Sequence, residues 1–219
     1  MEVFMMDSYK KIDMETWPRK EHYLYYTEKL KVECNLTVNI QVDSFIQYCH
    51  SNNYRFFAAL VCVISQVIDS IDNLKMFRDA EDNVCVWEHL HPNYTLFHED
   101  DHTFSDCWSL YDADFNRMYQ NLIHDMDTYK NVKGIKSKEN QPRNFYCISC
   151  TPWMHFTAYS ARTAHAEPQF FPIITVGKYE KENGKMMMPV NLIIAHAVCD
   201  GYHASLFFNK LQEALNNFQ

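Results

Sequence analysis

The stretch Ala195-His196-Ala197-Val198-Cys199-Asp200-Gly201-Tyr202-His203 joins a predicted buried strand to a predicted helix. The apolar run at residues 189–195 is typical of a buried strand, and residues 202–218 have helical periodicity. The strand ends on a histidine, a residue type whose imidazole exchanges a proton near neutral pH. An aspartate and one of only four glycines follow it. This pattern predicts a turn that holds His196 in one orientation at a cleft.

The same spacing also has a purely structural interpretation. Asp200 has the side chain of a helix N-cap, because its carboxylate can accept a bond from the free N–H groups of the first helical turn. His196 would then be an interior histidine whose polar atoms are satisfied. The spacing alone leaves both interpretations open.

The composition is that of a globular chain with a large core. Of its 219 residues, 47% are hydrophobic and 15% aromatic, which favours strands and well-filled pockets over a simple helical bundle. The net charge is −8 and the basic residues are scattered, so no nucleic-acid partner is expected. The longest apolar run, residues 56–64, is too short to cross a bilayer, and no basic-then-apolar leader follows Met1. We therefore expect a soluble, cytoplasmic protein with no membrane partner.

The pattern of elements mixes strands and helices without regular alternation. Helices are predicted over residues 43–49 (capped by Asp43), 55–71, 112–129 and 202–218. Strands are predicted over residues 37–42, 76–78, 83–87, 94–98, 103–107, 145–149, 172–179 and 185–195. The four strands between residues 76 and 107 are expected to form one meander. A single α+β sandwich domain over residues 1–219 is the simplest account.

Several familiar catalytic and binding motifs are absent. The glycines form neither GxGxxG nor a phosphate loop, and there is no GxSxG. The eight cysteines lack a framework spacing and are expected to be reduced, and the CxxC of Cys147 and Cys150 has no second ligand pair. Histidine pairs such as His98 and His102 lack a third ligand, so no metal site is predicted. Acid–base chemistry at His196 remains.

Several short sequence blocks along the chain restrict the possible class of protein further. The first is HAVCDGYH at residues 196–203. The others are WPRKEHY at 17–23, LHPNYTLFHE at 90–99, TFS at 103–105, ISCTPW at 148–153 and FPIITVGKY at 171–179. Together they resemble the chloramphenicol acetyltransferase family. The HxxxDG signature alone is shared with dihydrolipoyl acyltransferases, whereas the remaining blocks and the short free-standing chain favour the chloramphenicol enzymes.

The resemblance implies a fold, a reaction and an assembly. The fold would be a two-layer sandwich, the CoA-dependent acyltransferase fold, in which helices cover a large mixed β-sheet. The reaction would transfer an acetyl group from acetyl-CoA, as co-substrate, to a hydroxyl of chloramphenicol. The assembly would be a homotrimer in which His196 of one chain faces a pocket formed largely by its neighbour.

The resemblance also assigns roles to polar residues. His196 would be the general base that takes the proton of the substrate hydroxyl. Ser149 would hydrogen-bond the oxyanion of the tetrahedral intermediate, and Thr175 would act on that intermediate through a water molecule. Arg19 and Asp200 would form a buried ion pair that fixes the backbone of the site, so Asp200 would not be a triad member.

Four aromatic residues complete the expected site. Tyr25, Tyr26 and Phe104 match positions that line the acceptor pocket, and Tyr179 matches a position beside the adenine of CoA. Without the resemblance, each would be interpreted as core packing.

Some positions depart from the family pattern. Ala195 stands where the family has a first histidine, Cys147 where an asparagine is common, and His155 and residues 160–165 also differ. Because the last positions border the acceptor pocket, a different small alcohol or amine remains an alternative acceptor. A non-catalytic oligomeric binding protein is the remote alternative.

Overall fold

The computed structural model describes residues 8–161 and 167–218. Its main sheet has seven strands: β2 (Glu33–Gln41), β5 (His91–His98), β6 (Thr103–Trp108), β7 (Phe145–Thr151), β8 (Ile173–Gly177), β9 (Glu180–Glu182) and β10 (Lys185–Ala195). Six of them lie in the order β2-β10-β8-β7-β5-β6, and β9 pairs with one end of β10. β5, β7 and β8 run parallel, and the other pairs are antiparallel. The sheet is therefore mixed, as expected.

Four long helices pack against this sheet and against each other. They are α2 (Asp43–Ser51), α3 (Phe56–Asp69), α4 (Phe115–Tyr129) and α5 (Gly201–Asn216). α3 contacts α4 and α5, and α5 contacts β2. One apolar cluster fills the space between the two layers and extends from Ile40 to Leu215. The predicted two-layer α+β sandwich is confirmed, whereas the domain bounds 1–219 stay a prediction.

β10 is an interior strand of the sheet, and its sequence suits burial on both faces. Residues 188–195 are all buried, and the antiparallel partners β2 and β8 flank the strand. A continuous apolar run of this kind is typical of a strand covered on both sides. Asn191, which is fully buried, interrupts the run with a polar side chain. His196 follows directly after the C-terminal end of this strand.

The predicted meander between residues 76 and 107 is wrong. β4 (Val84–Trp87) pairs with both β3 (Met76–Arg78) and β1 (Tyr9–Lys11) in a separate three-stranded sheet. β5 instead lies beside β7, and the amide of His91 donates to the carbonyl of Asn144. Local alternation specifies a strand but not its partner, so the long-range pairing decides the sheet.

The N-terminal segment forms a helix that the sequence patterns did not predict. α1 (Lys20–Leu24) continues into a π-helical turn, Tyr25–Lys29. The hydroxyl of Thr27 donates to the carbonyl of Tyr23 at 2.7 Å inside this turn. π-Helical turns often occur at functional sites, and this one sets the position of Tyr26.

One predicted helix cap and one predicted helix start are wrong. The Asp43 carboxylate does not cap α2, since Val42 is the N-cap residue and Asp43 accepts from the amide of Met186 on β10 at 3.1 Å. α4 begins at Phe115 rather than at Asp112, because Asp114 accepts from the amide of Arg117 and caps the helix. Within the described residues, no helix is long and apolar enough to span a membrane.

Candidate active site

His196 lies in the turn that follows β10, with its backbone held on both sides. Its amide donates to the carbonyl of Val32 at 2.9 Å, and its own carbonyl accepts from Nη2 of Arg19 at 3.3 Å. The imidazole stacks on the ring of Tyr26, with centroids 4.0 Å apart and planes inclined by 14°. Nδ1 is buried and has no hydrogen-bond partner among the described residues. Stacking therefore contributes strongly to the orientation of the ring.

Arg19 and Asp200 form an ion pair beside this turn. Nη1 of Arg19 donates to Oδ2 of Asp200, and the two side chains are largely enclosed. Burial alone would raise the pKa of the Asp200 carboxyl, but hydrogen bonds from Arg19 and His203 outweigh it and hold that pKa well below its ordinary value. Asp200 is therefore a carboxylate at neutral pH and acts as a fixed acceptor.

The other carboxylate oxygen of Asp200 caps α5. Oδ1 accepts from the amides of Tyr202 and His203, and Nδ1 of His203 lies 2.7 Å from the same oxygen. His203 was not among the predicted site residues. Its position three residues after an N-cap aspartate could have suggested the contact, because side chains at that position commonly reach back toward the cap.

Ser149 and Thr175 lie side by side on the face of the sheet that is turned away from the helices. In the strand register, Ser149 is opposite Thr175, Thr175 is opposite Asn191, and Asn191 is opposite Thr37. Residues opposite each other point to the same face, so these four form a polar row across β7, β8, β10 and β2. Their neighbours along β7 and β8, such as Ile148 and Ile174, point into the core.

Asn191 is a second polar residue that the sequence reasoning missed. Its Nδ2 lies within 2.7–3.2 Å of four acceptors, the nearest being Oδ1 of Asn35. Its Oδ1 is buried without a partner in the described part of the chain. The signal was available, because a lone asparagine in a buried apolar strand must satisfy its amide. Asn191 ties β10 to β2 beside the predicted site.

Within one chain, the predicted polar residues form two groups that lie far apart. Arg19, His196 and Asp200 are in contact, whereas Ser149 and Thr175 lie elsewhere on the sheet. His196 is five residues beyond Asn191, the residue in register with Thr175, which corresponds to about 17 Å along the strand at about 3.4 Å per residue. Ser149 is two strands from β10, or about 10 Å to the side.

The predicted aromatic residues divide between these groups. Tyr25 packs edge-on against Tyr26, with centroids 5.2 Å apart, beside His196, and its side chain is 51% exposed. Phe104 on β6 is opposite Phe97 on β5 and shares the sheet face of Ser149, where it is 54% exposed. In the single chain, about half of the surface of each of these two aromatic residues is therefore open to solvent.

Tyr179 lies apart from both groups. It follows β8, and its ring packs against Phe56 at the start of α3, with centroids 5.3 Å apart. It is partly exposed. A flat ring beside it would meet an aromatic surface formed by Tyr179 and Phe56.

Three departures from the family pattern have defined surroundings. Ala195 is buried at the end of β10, and Cys147 accepts a weak bond from Nδ2 of Asn93 at 3.8 Å. His155 lies between the carbonyl of Lys178, 3.0 Å from Nδ1, and the carboxylate of Glu182, 2.9 Å from Nε2. The departing segment 160–165 lies largely outside the described residues. Across residues 8–161 and 167–218, no cluster of metal-ligating side chains is present.

Solved acyltransferases share this fold. A chloramphenicol acetyltransferase structure superposes with a TM-score of 0.83 and 20% identity, covering 95% of this chain and all of the other. The dihydrolipoamide acetyltransferase of Azotobacter vinelandii superposes with a TM-score of 0.68 and 11% identity, covering 95% of this chain and 91% of the other. At these identities, the likeness shows only that the chain shares the fold of these two proteins.

Sequence comparison identifies the family within that class. The family model described as chloramphenicol acetyltransferase matches residues 6–212. A chloramphenicol acetyltransferase of Clostridium butyricum is 32% identical over 208 residues, which are 95% of each chain. The chain belongs to the chloramphenicol acetyltransferase family, and it is an acyltransferase.

Proposed function

We propose that this protein is a chloramphenicol O-acetyltransferase that uses acetyl-CoA and thereby inactivates the antibiotic. The observation that carries the proposal is the family match over residues 6–212, with the predicted base, oxyanion donor and ion pair all present in the chain. Acetylation of a hydroxyl removes a hydrogen-bond donor from the drug, so the reaction would confer resistance. The eight free cysteines agree with a cytoplasmic location, where thiols stay reduced.

The chemistry proposed for His196 is general base catalysis. Because Nδ1 is buried, Nε2 is the nitrogen that accepts the proton of the primary hydroxyl of chloramphenicol. The hydroxyl oxygen attacks the thioester carbonyl of acetyl-CoA and forms a tetrahedral intermediate. Collapse of this intermediate breaks the carbon–sulfur bond, and the imidazolium returns the proton to the departing CoA thiolate. The products are acetylated chloramphenicol and free CoA, with no acyl-enzyme.

Ser149 is proposed to stabilise the oxyanion of that intermediate. Loss of one such donor costs about 2.7–4 kcal/mol of transition-state stabilisation in comparable enzymes. Both the base and the donor must lie within about 3 Å of the reacting atoms. Residues separated by about 17 Å along a strand and about 10 Å across it cannot both do so in one chain.

We therefore propose that the complete site forms between two copies of the chain in a homotrimer. His196 of one subunit would face Ser149 of the partner subunit, with Thr175 of the partner subunit beside it. The open positions of Tyr25 and Phe104 support this arrangement, because the neighbouring chain and the acceptor would cover them. A repeated head-to-tail contact closes into a ring when its rotation is 120°.

The function is tested by release of free thiol from acetyl-CoA. The purified protein should release CoA when chloramphenicol is present and not when it is absent. His196→Ala should lower kcat by three orders of magnitude or more, because removal of a catalytic base in an enzyme of this kind leaves only binding and oxyanion stabilisation.

Two outcomes would contradict the proposal. Absence of drug-dependent thiol release would remove chloramphenicol as the acceptor, and a panel of other hydroxylated acceptors would then identify the substrate. A rate that persists in folded His196→Ala protein would refute the assignment of the base. Light scattering checks the subunit number of the variant, and a thermal melting curve checks that it is folded.

A further inference from the structure

We infer that His203 is a positioning residue for the catalytic base, acting through Asp200 and Arg19. This inference rests on the proposed function of His196. A continuous set of contacts connects the two histidines. Nδ1 of His203 lies 2.7 Å from Oδ1 of Asp200, Oδ2 of Asp200 accepts from Arg19, and Arg19 donates to the carbonyl of His196 at 3.3 Å.

Within this set of contacts, Arg19 is the side chain whose orientation depends on its partners. Its Nε is buried and has no hydrogen-bond partner among the described residues. Its guanidinium is therefore oriented by the two contacts that its Nη atoms make, to Asp200 and to the carbonyl of His196. A carboxylate that rotated would move the guanidinium and release the backbone of the turn.

His203 opposes that rotation. Asp200 accepts from the amides of Tyr202 and His203 at 3.0 and 3.4 Å, of which the second is long for a hydrogen bond. The side-chain contact of His203, at 2.7 Å, is the shortest that Oδ1 makes. Because a carboxylate accepts and cannot donate, Nδ1 of His203 carries the hydrogen in this contact. The ring therefore fixes the carboxylate plane that Arg19 meets.

The orientation of the base depends on this backbone. Nδ1 of His196 has no side-chain partner that would fix the ring, so the ring relies on its stacking with Tyr26 and on the position of its own main chain. A displacement of about 1 Å in a catalytic group can lower the rate by about 100-fold. Loss of the His203 donor should therefore lower kcat while substrate binding is preserved.

Two amide substitutions test the hydrogen-bond donor of His203 separately from the size and polarity of its ring. His203→Asn places its Nδ2 close to the position of Nδ1, whereas His203→Gln carries its amide nitrogen close to the position of Nε2. We expect His203→Asn to keep kcat within about twofold and His203→Gln to lower it roughly tenfold, with KM for both substrates nearly unchanged. Ser205→Ala is the matched control on α5, since the Ser205 hydroxyl donates to the carbonyl of Gly201 within its own helix.

A double-mutant cycle tests whether His203 acts through Asp200. The loss caused by His203→Gln should disappear in an Asp200→Asn background, because the carboxylate that His203 positions is no longer present. Additive losses would overturn the inference. Equal rates for His203→Asn and His203→Gln would overturn it as well, whether both match the wild type or both fall.

The control for the function itself is His196→Ala in the same assay. If His196→Ala retains activity, the proposed function fails. If His196→Ala is inactive while His203→Gln keeps the wild-type kcat, only the inference about His203 fails. Melting curves of all variants show that the compared proteins are folded.

Discussion

The two carboxylate oxygens of Asp200 serve different partners. Oδ1 caps α5 and Oδ2 pairs with Arg19, so the residue is a helix cap and the ion-pair acceptor at once. The sequence spacing offered the helix cap as one of two interpretations, whereas the ion pair with Arg19 was implied by the family resemblance. They are compatible because a carboxylate accepts through both oxygens in different directions. This arrangement fixes the turn that carries His196 to the start of the last helix.

His91 gives a testable pH dependence at the residue scale. Burial, together with the positive charge of His89 and Lys138, lowers the pKa of His91 to about 4. The native state therefore keeps His91 neutral, while the unfolded chain binds a proton below its ordinary pKa of about 6.5. The contribution of His91 to the free energy of unfolding is therefore fully present above about pH 6.5. It decreases as the pH falls toward 4, by about 1.4 kcal/mol per pH unit.

Urea unfolding at fixed protein concentration measures this dependence. His91→Asn keeps an oxygen that can accept from the amide of Tyr111, which donates to Nδ1 at 2.9 Å in the native protein. In the variant, the slope of the free energy of unfolding against pH should be smaller by an amount that corresponds to close to one bound proton. His124→Asn, at an exposed position of α4, is the matched control. An unchanged slope in His91→Asn would contradict the assignment.

Cys199 lies inside the signature but should not react with thiol reagents. Its side chain is fully buried, and burial raises the pKa of its thiol to about 12. The thiolate is the reactive form, so native protein treated with iodoacetamide at pH 8 should leave Cys199 unmodified. Peptide mapping by mass spectrometry checks this, and protein labelled in urea is the control. Labelling of Cys199 in the native protein as fast as in urea would refute the prediction.

At the scale of elements, Gly177 permits the close packing of β8. A Cβ at this position would lie 2.7 Å from Cγ of Pro189 and 2.8 Å from Cε1 of Phe156. Both neighbours belong to rings that have little freedom to move. We expect Gly177→Ala to lower the free energy of unfolding by about 1–3 kcal/mol.

Gly201→Ala provides the matched comparison for this prediction. At Gly201, which begins α5, an added Cβ meets no atom within 4 Å. Its stability in urea should stay close to that of the wild type, since Ala favours a helix over Gly. Equal stability of Gly177→Ala and Gly201→Ala would show that the strand does not need the glycine.

Elements with a local signal were predictable from the sequence. The strand predicted over residues 185–195 matches β10 at both ends, and the helix predicted over residues 202–218 matches α5 to within two residues at each end. The turn Glu182-Asn183-Gly184 joins β9 to β10 because Asn183 and Gly184 adopt positive φ. β1 was not predictable, since its three residues are exposed and show no alternation.

The partners of elements were harder to predict than the elements themselves. β4 and β5 are close in sequence, yet they belong to different sheets because β1 and β7 pair with them over long separations. The site shows the same limit. The sequence blocks identified candidate site residues by their match to the family pattern. They did not predict contacts such as that between His203 and Asp200, because these depend on side-chain geometry. Patterns of residue type carry no such geometry.

At the scale of the molecule, the separation of His196 from Ser149 is the central feature. The two residues belong to one chain and to one proposed reaction, yet the sheet holds them about 17 Å apart along the strands and about 10 Å across them. In the proposed homotrimer, a neighbouring copy of the chain supplies the missing part of each site. The mass expected in solution for that assembly is three times the 26.1 kDa of the chain.

Subunit mixing tests this account most directly. His196→Ala and Ser149→Ala proteins are each expected to be nearly inactive, and they are unfolded together in equal amounts and refolded. A shared site combines His196 of one subunit with Ser149 of the partner subunit, so about a quarter of the sites in random ring-shaped trimers would carry both residues intact. The account predicts recovery of about a quarter of the wild-type activity. Activity no greater than that of the two variants refolded separately would contradict it.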